Sequence, residues 1–147
     1  MAKLQADLRE FIELLNSHDV EYVVVGGHAV AFHGHPRYTG DIDFLIRATP
    51  TNVRRVLAAL NAFGFGSLGI TEGDLLDPGR IVQLGHPPNR IDILTSLQGV
   101  TFEEAWSGRA AGTYGSQEVF YLGKSELIRN KRSVARPQDQ MDLRWLL

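Results

Sequence analysis

The chain has 147 residues, 44% hydrophobic and 22% charged, the composition of one soluble globular domain over residues 1–147 with a single core. No cysteine is present, which excludes disulfides and thiolate zinc sites and fits a reducing, cytoplasmic setting. The net charge of −2 gives no general attraction to nucleic acid, so no DNA partner is expected; no apolar run is long enough for a membrane, and the opening MAKLQADLREF is charged where a signal peptide needs an apolar run.

Leu4, Leu8, Phe11, Ile12 and Leu15 recur at helical spacing and predict an amphipathic helix over 3–17. Tyr22 to Val25 is a short β-branched run, apolar throughout, and predicts a strand buried on both faces. Gly26 to Phe32 follows as a short helix. The pair Gly26-Gly27 lets the backbone come close to a phosphate at that helix start, or simply makes a tight strand-to-helix turn. His33 to Gly40 is a Gly/Pro turn segment. His33 and His35 read there as surface histidines, because no third metal ligand is matched to them. Arg37 reads either as a nucleotide contact or as the partner of an acid.

Ile42 to Ile46 predicts the next strand. Side chains two apart on a strand share a face, so Asp41 and Asp43 present two carboxylates side by side while Ile42 and Phe44 turn into a core. Paired carboxylates are hard oxygen ligands suited to Mg²⁺ or Mn²⁺, and through them to phosphate chemistry. Thr49 as N-cap and Pro50 in the first turn open a helix that carries Val53, Val56, Leu57 and Leu60 and stops at Gly64. Residues 64–79 read as a loop with one helical turn near Asp74 to Leu76.

Arg80 to Leu84 and Arg90 to Leu94 read as a β-hairpin, with His86 at its tip. Asp92 puts a charge in an apolar strand. That is costly unless the group is exposed on an edge, paired, or a third carboxylate of the same site as Asp41 and Asp43. Thr101 to Trp106 is a short helix, and Gln117 to Leu122 the last strand. Lys124 to Ala135 is a basic helix, holding Lys124, Arg129, Lys131 and Arg132, with Arg136 just beyond it. Lys131 reads as a surface lysine. Pro137 opens a final helix in which Asp139 and Asp142 read as surface acids near the positive end of the dipole. The fold class is therefore α/β (α+β), a small mixed, partly antiparallel sheet flanked by helices.

Gly26-Gly27, Asp41-Ile42-Asp43 and the strand acid Asp92, in this order, resemble the nucleotidyltransferase superfamily of DNA polymerase β-like fold. The nearest likeness is to its minimal members, among them the nucleotidyltransferases of toxin–antitoxin and abortive-infection pairs. Arg37-Tyr38-Thr39-Gly40-Asp41-Ile42-Asp43 matches the family's Arg-x-Thr-x-Asp-x-Asp stretch. Arg90 to Leu94 matches its Arg-Ile-Asp-Ile-Leu strand, and LGKSELIRNKRSVARPQDQMDL its late basic helix. Gly27 stands where the family commonly has serine, and Gln138 where many relatives have lysine.

The resemblance implies transfer of a nucleoside monophosphate from a nucleoside triphosphate (NTP) to an acceptor hydroxyl on a protein, an RNA such as tRNA, or a small molecule. By the same resemblance Asp41, Asp43 and Asp92 are the catalytic and metal-binding carboxylates, with Mg²⁺ or Mn²⁺ as cofactor. Gly26, Gly27, Arg37, Thr39 and Lys124 are then the nucleotide contacts. The alternative is a non-catalytic nucleotide-binding module, an antitoxin-like or regulatory subunit that acts by binding a partner. A third reading is a metal-dependent phosphohydrolase that recruits His33 or His35.

Overall fold

The computed structural model describes residues 2–34, 40–85 and 90–147. Arg37, Thr39, His35 and His86, singled out above, lie outside the described residues.

Two central strands set the architecture. Strand β1 (Tyr22–Val25) is buried at all four positions. Strand β2 (Ile42–Ile46) runs antiparallel to it, pairing Val25 with Asp43 and Tyr22 with Ile46. The continuous apolar sequence of β1 has this cause: its two faces feed two separate cores. Tyr22 and Val24 enter one with Phe44 and Ile46. Val23 and Val25 enter the other with Leu45.

The remaining strands are β3 (Ile81–Leu84), β4 (Ile91–Leu94), β5 (Ala110–Tyr114) and β6 (Gln117–Tyr121). They complete a six-stranded mixed sheet in the order β3-β4-β2-β1-β6-β5. The pairs β2–β4 and β1–β6 are parallel, and the two edge pairs β3–β4 and β5–β6 are antiparallel. Strand β4 is thus internal, so Asp92 is not an edge residue.

On one face lie helix α1 (Ala2–Ser17), helix α3 (Pro50–Phe63) and helix α4 (Glu72–Leu76). Phe11, Ile12 and Leu15 of α1 and Val53, Val56 and Leu60 of α3 are buried there, with Phe11 edge-on to Phe44 at 5.4 Å. Thr49 caps α3 by accepting from the Asn52 N–H, and Gly64 ends it in the left-handed conformation at φ 106°. Helix α4 begins with a reciprocal capping box between Thr71 and Asp74.

On the other face lie α2 (Gly26–Phe32), α5 (Phe102–Ser107), α6 (Lys124–Val134) and α7 (Pro137–Leu146). Ala29, Val30, Ala105, Leu127 and Leu146 close the second core over Val23, Val25 and Leu45.

Two sequence expectations need correction. Strand β5, Ala110-Ala111-Gly112-Thr113-Tyr114, is not among the strands expected from the sequence, since its first three residues are small and have little strand preference. Its place comes from packing across the sheet: Phe32 stacks on Tyr121 at 4.2 Å, and a Cβ on Gly112 would lie 2.6 Å from the Phe32 ring. The second correction concerns Lys131, Asp139 and Asp142, expected on the surface. All three are buried, at 4%, 1% and 0% exposure. Helices α6 and α7 pack against each other, and the Lys131 ammonium lies 3.1 Å from Asp139 Oδ1 and 3.0 Å from Asp142 Oδ2. Neutralisation inside the interface, rather than solvent, accommodates these charges.

Candidate active site

Strand direction gathers the site. Strands β1 and β6 end, and β2 and β4 begin, along the same edge of the sheet. Across β4-β2-β1-β6, this edge carries Arg90 and Asp92, then Asp41 and Asp43, then Gly26, then Lys124. The Leu122 N–H donates to the Val24 carbonyl at 2.9 Å, which sets the start of α6 level with the end of β1.

Asp43 and Asp92 are direct partners in the parallel β2–β4 register. Their side chains share the face of Leu45 and Leu94, beneath which the second core is packed. Asp92 is 7% exposed. Burial is the chief reason that Asp43 holds its proton up to about pH 7. The neighbouring charge of Asp92, a hydrogen bond to Asp92 and the charge of Asp41 push the same way, against the opposing pull of Arg90.

Gly26 has to be a glycine. Its φ is +66°, and a Cβ there would fall onto Asp43 Oδ2. The Asp43 carboxylate occupies the space a side chain would fill, so the backbone at the start of α2 lies directly against an acid of the cluster. No side chain caps the amino end of α2.

Arg90 was not assigned a role from the sequence, yet it binds two of the three acids. Its Nε donates to Asp92 Oδ1 at 2.7 Å and its Nη2 to Asp92 Oδ2 at 3.1 Å. The same Nη2 lies 3.3 Å from Asp41 Oδ2, and the Arg90 backbone N–H donates to Asp41 Oδ1 at 3.3 Å. A signal for this was present: Arg90 and Asp92 are two apart at a strand start and so share a face.

A second cation stands near. The Arg136 guanidinium, 68% exposed, is held by Asp139 through Nε at 2.8 Å. Its proton affinity is raised first by that hydrogen bond, with the charges of Asp139, Asp142 and Asp43 adding to it. Gln138, in the position noted above for lysine, donates to Asp142 Oδ1 at 3.0 Å. Lys124 is exposed as the first residue of α6, on the shared edge but two strands away from Asp43, about 10 Å at the usual strand spacing. His33 is turned to the Leu122 carbonyl, 2.7 Å from its Nε2.

The donor set is the right kind for a hard divalent cation: carboxylate oxygens, with the Asp43 carboxylate lodged against a bare backbone. Among the described residues no three His, Cys, Asp or Glu side chains stand in ready ligand geometry. Arg90 engages Asp92 and Asp41 instead.

Residues 2–145 match the family of nucleotidyltransferases of unknown function, DUF6036. The chain belongs to this family. No curated protein matches it in sequence. Among solved structures, the lincomycin-bound lincosamide antibiotic adenylyltransferase LnuA is similar in fold, with TM-score 0.57 and 16% identity over 96% of this chain and 94% of that one. An antigenic nucleotidyltransferase-like protein from Paracoccidioides brasiliensis is similar with TM-score 0.60 and 14% identity, over 99% of this chain and 76% of that one. The nucleotidyltransferase fold expected from the sequence is therefore the fold of the protein. Among the described residues, no helix is long and apolar enough to cross a membrane.

Proposed function

We propose that this family member is a catalyst of nucleoside monophosphate transfer from an NTP to a hydroxyl acceptor, acting in the cytoplasm. The observation that carries the reading is the meeting of Asp41, Asp43 and Asp92 at one sheet edge, with Gly26 stripped of a side chain where Asp43 comes in.

Asp41, Asp43 and Asp92 would hold Mg²⁺ or Mn²⁺, which supplies neutralisation of the charge on the transferring and leaving oxygens. The backbone N–H groups of Gly26 and Gly27 face the incoming phosphates. Lys124, about two strand spacings from Asp43, reaches the far end of an extended triphosphate as a point charge. Arg136, the residue before α7, adds positive charge on the same side of the sheet while its guanidinium is held by Asp139. By the family resemblance, Arg37 and Thr39, which precede Asp41 in sequence, would serve as nucleotide contacts. The acceptor hydroxyl attacks the α-phosphorus, its bond to the pyrophosphate oxygen breaks, and Asp92 takes the hydroxyl proton.

For the acceptor we favour a small molecule. Support comes from the fold likeness to an enzyme described as an antibiotic adenylyltransferase, and from the absence of a general positive charge for RNA. The test is incubation with Mg²⁺, each α-³²P-labelled NTP and fractionated cell extract. Label moving to a small-molecule fraction supports this acceptor class; label on protein or RNA replaces it.

One observation favours a second reading, a nucleotide-binding module without catalysis. Arg90 ties up Asp92 and Asp41, and a permanent tie of this kind would leave binding but no transfer. Nucleotide binding without label transfer to any fraction would select it.

A further inference from the structure

Arg90 is the strongest unexplained feature of the site, and it makes contacts with all four carboxylate oxygens of two acids. Both oxygens of Asp92 accept from its guanidinium, at 2.7 and 3.1 Å. Asp41 Oδ2 lies 3.3 Å from Nη2, and Asp41 Oδ1 accepts from the Arg90 backbone N–H. This fork-to-fork pairing is the geometry in which a guanidinium holds carboxylates best. It also uses the same lone pairs that a hard cation would need.

The side chain is 24% exposed, so it has a route to water. Arg90 precedes β4, and rotation about its own side-chain bonds releases Asp92 without moving the strand. The two arrangements, guanidinium on the acids or guanidinium in solvent, differ by one side chain. The backbone of Asp92 is held in the β2–β4 pairing, opposite Asp43.

We propose that Arg90 is a tethered counter-cation: it positions Asp41 and Asp92 before a divalent ion arrives, and it competes with that ion for their oxygens. This rests on the proposed use of the acids as metal ligands. The clustered Asp41 and Asp92 carboxylates would repel each other without a cation, and Arg90 relieves that repulsion in the metal-free protein. Metal binding must displace it, so the wild-type affinity is the intrinsic affinity reduced by the population in which Arg90 has let go. Removing the guanidinium removes this competitor.

The experiment is Mn²⁺ titration of the full chain, without nucleotide, followed by the electron paramagnetic resonance signal of free Mn²⁺. Wild type, Arg90→Gln, Arg90→Lys and Asp43→Asn are compared. The expected result is Mn²⁺ binding tighter by at least about fivefold in Arg90→Gln, with Arg90→Lys between it and wild type. Asp43→Asn should lose the site. In chelator the melting temperature of Arg90→Gln should lie below wild type, and Mn²⁺ should raise it by more than it raises wild type. If Arg90→Gln does not fold in chelator, Arg90→Lys carries the comparison, since it keeps the charge and loses the fork. Unchanged or weaker Mn²⁺ binding in the folded Arg90 variants, with the site still lost in Asp43→Asn, overturns the role of Arg90 alone. Absence of an Asp43-dependent Mn²⁺ site in wild type and in the Arg90 variants overturns both this proposal and the metal-site reading beneath it.

Discussion

The Lys131 ammonium lies 3.1 Å from Asp139 Oδ1, and both side chains are all but excluded from water. Asp142 completes a triad at 3.0 Å from the same nitrogen, and Asp139 in turn holds the exposed guanidinium of Arg136. The basic helix and the final helix are therefore locked together at the point where Asp139 also holds Arg136. Lys131→Met should leave two buried carboxylates without their shared cation and cost about 3–5 kcal/mol of stability. Urea denaturation at pH 7 measures it. A cost within the error of the fit would mean that the triad is solvated.

The same triad sets an acid limit. Burial alone would raise the proton affinity of Asp139, but the hydrogen bonds from Arg136 and Lys131 outweigh it and lower its pKa to about 2. A depressed carboxylate stabilises the fold above its unfolded pKa near 3.8, and that contribution is lost as pH falls toward 2. Asp139→Asn should flatten the stability curve between about pH 4 and 2, as thermal melts across that range will show.

Asp43 works in the opposite direction. Its proton is held in the folded state up to about pH 7 and released near 3.8 when unfolded. Between those values the folded form binds the extra proton, so metal-free stability falls as pH rises from about 4 to 7 and is then level. Divalent metal must displace the same proton, so Mn²⁺ affinity should rise with pH up to about 7. Calorimetric titrations in buffers of different ionisation enthalpy should register proton release at pH 6 and little at pH 8. Equal release at both would place the proton elsewhere.

Gly26→Ala attacks the site through the backbone. The residue sits at φ +66°, and the new methyl would strike Asp43 Oδ2. The conformation alone costs about 1–2 kcal/mol for a residue with a Cβ. Displacement of Asp43 should abolish Mn²⁺ binding even where the protein stays folded. Circular dichroism separates the two effects.

The sequence shows the core strands and the acid pair because period-two alternation is local. Ile42 and Phe44 go inward, so Asp41 and Asp43 share the other face. Thr49-Pro50 and Gly64 mark the ends of α3 for the same reason: caps are written within a few residues. Strand β5 is not visible in this way, since Gly112 takes its place under Phe32 and Tyr121, which are distant in sequence. Lys131, Asp139 and Asp142 each look like a solvated helix residue, and only the packing of α6 on α7 brings them inside. The hold of Arg90 on Asp41 likewise depends on β4 pairing with β2 across 49 residues.

The most direct test of the account is label transfer from α-³²P NTP in the presence of Mg²⁺ and cell extract. Wild type is run beside the Asp41→Ala/Asp43→Ala double variant, both verified as folded. The account predicts that wild type moves label to an acceptor and that the double variant moves none. Equal transfer by both proteins, or none by wild type with every NTP and every extract fraction, would contradict it.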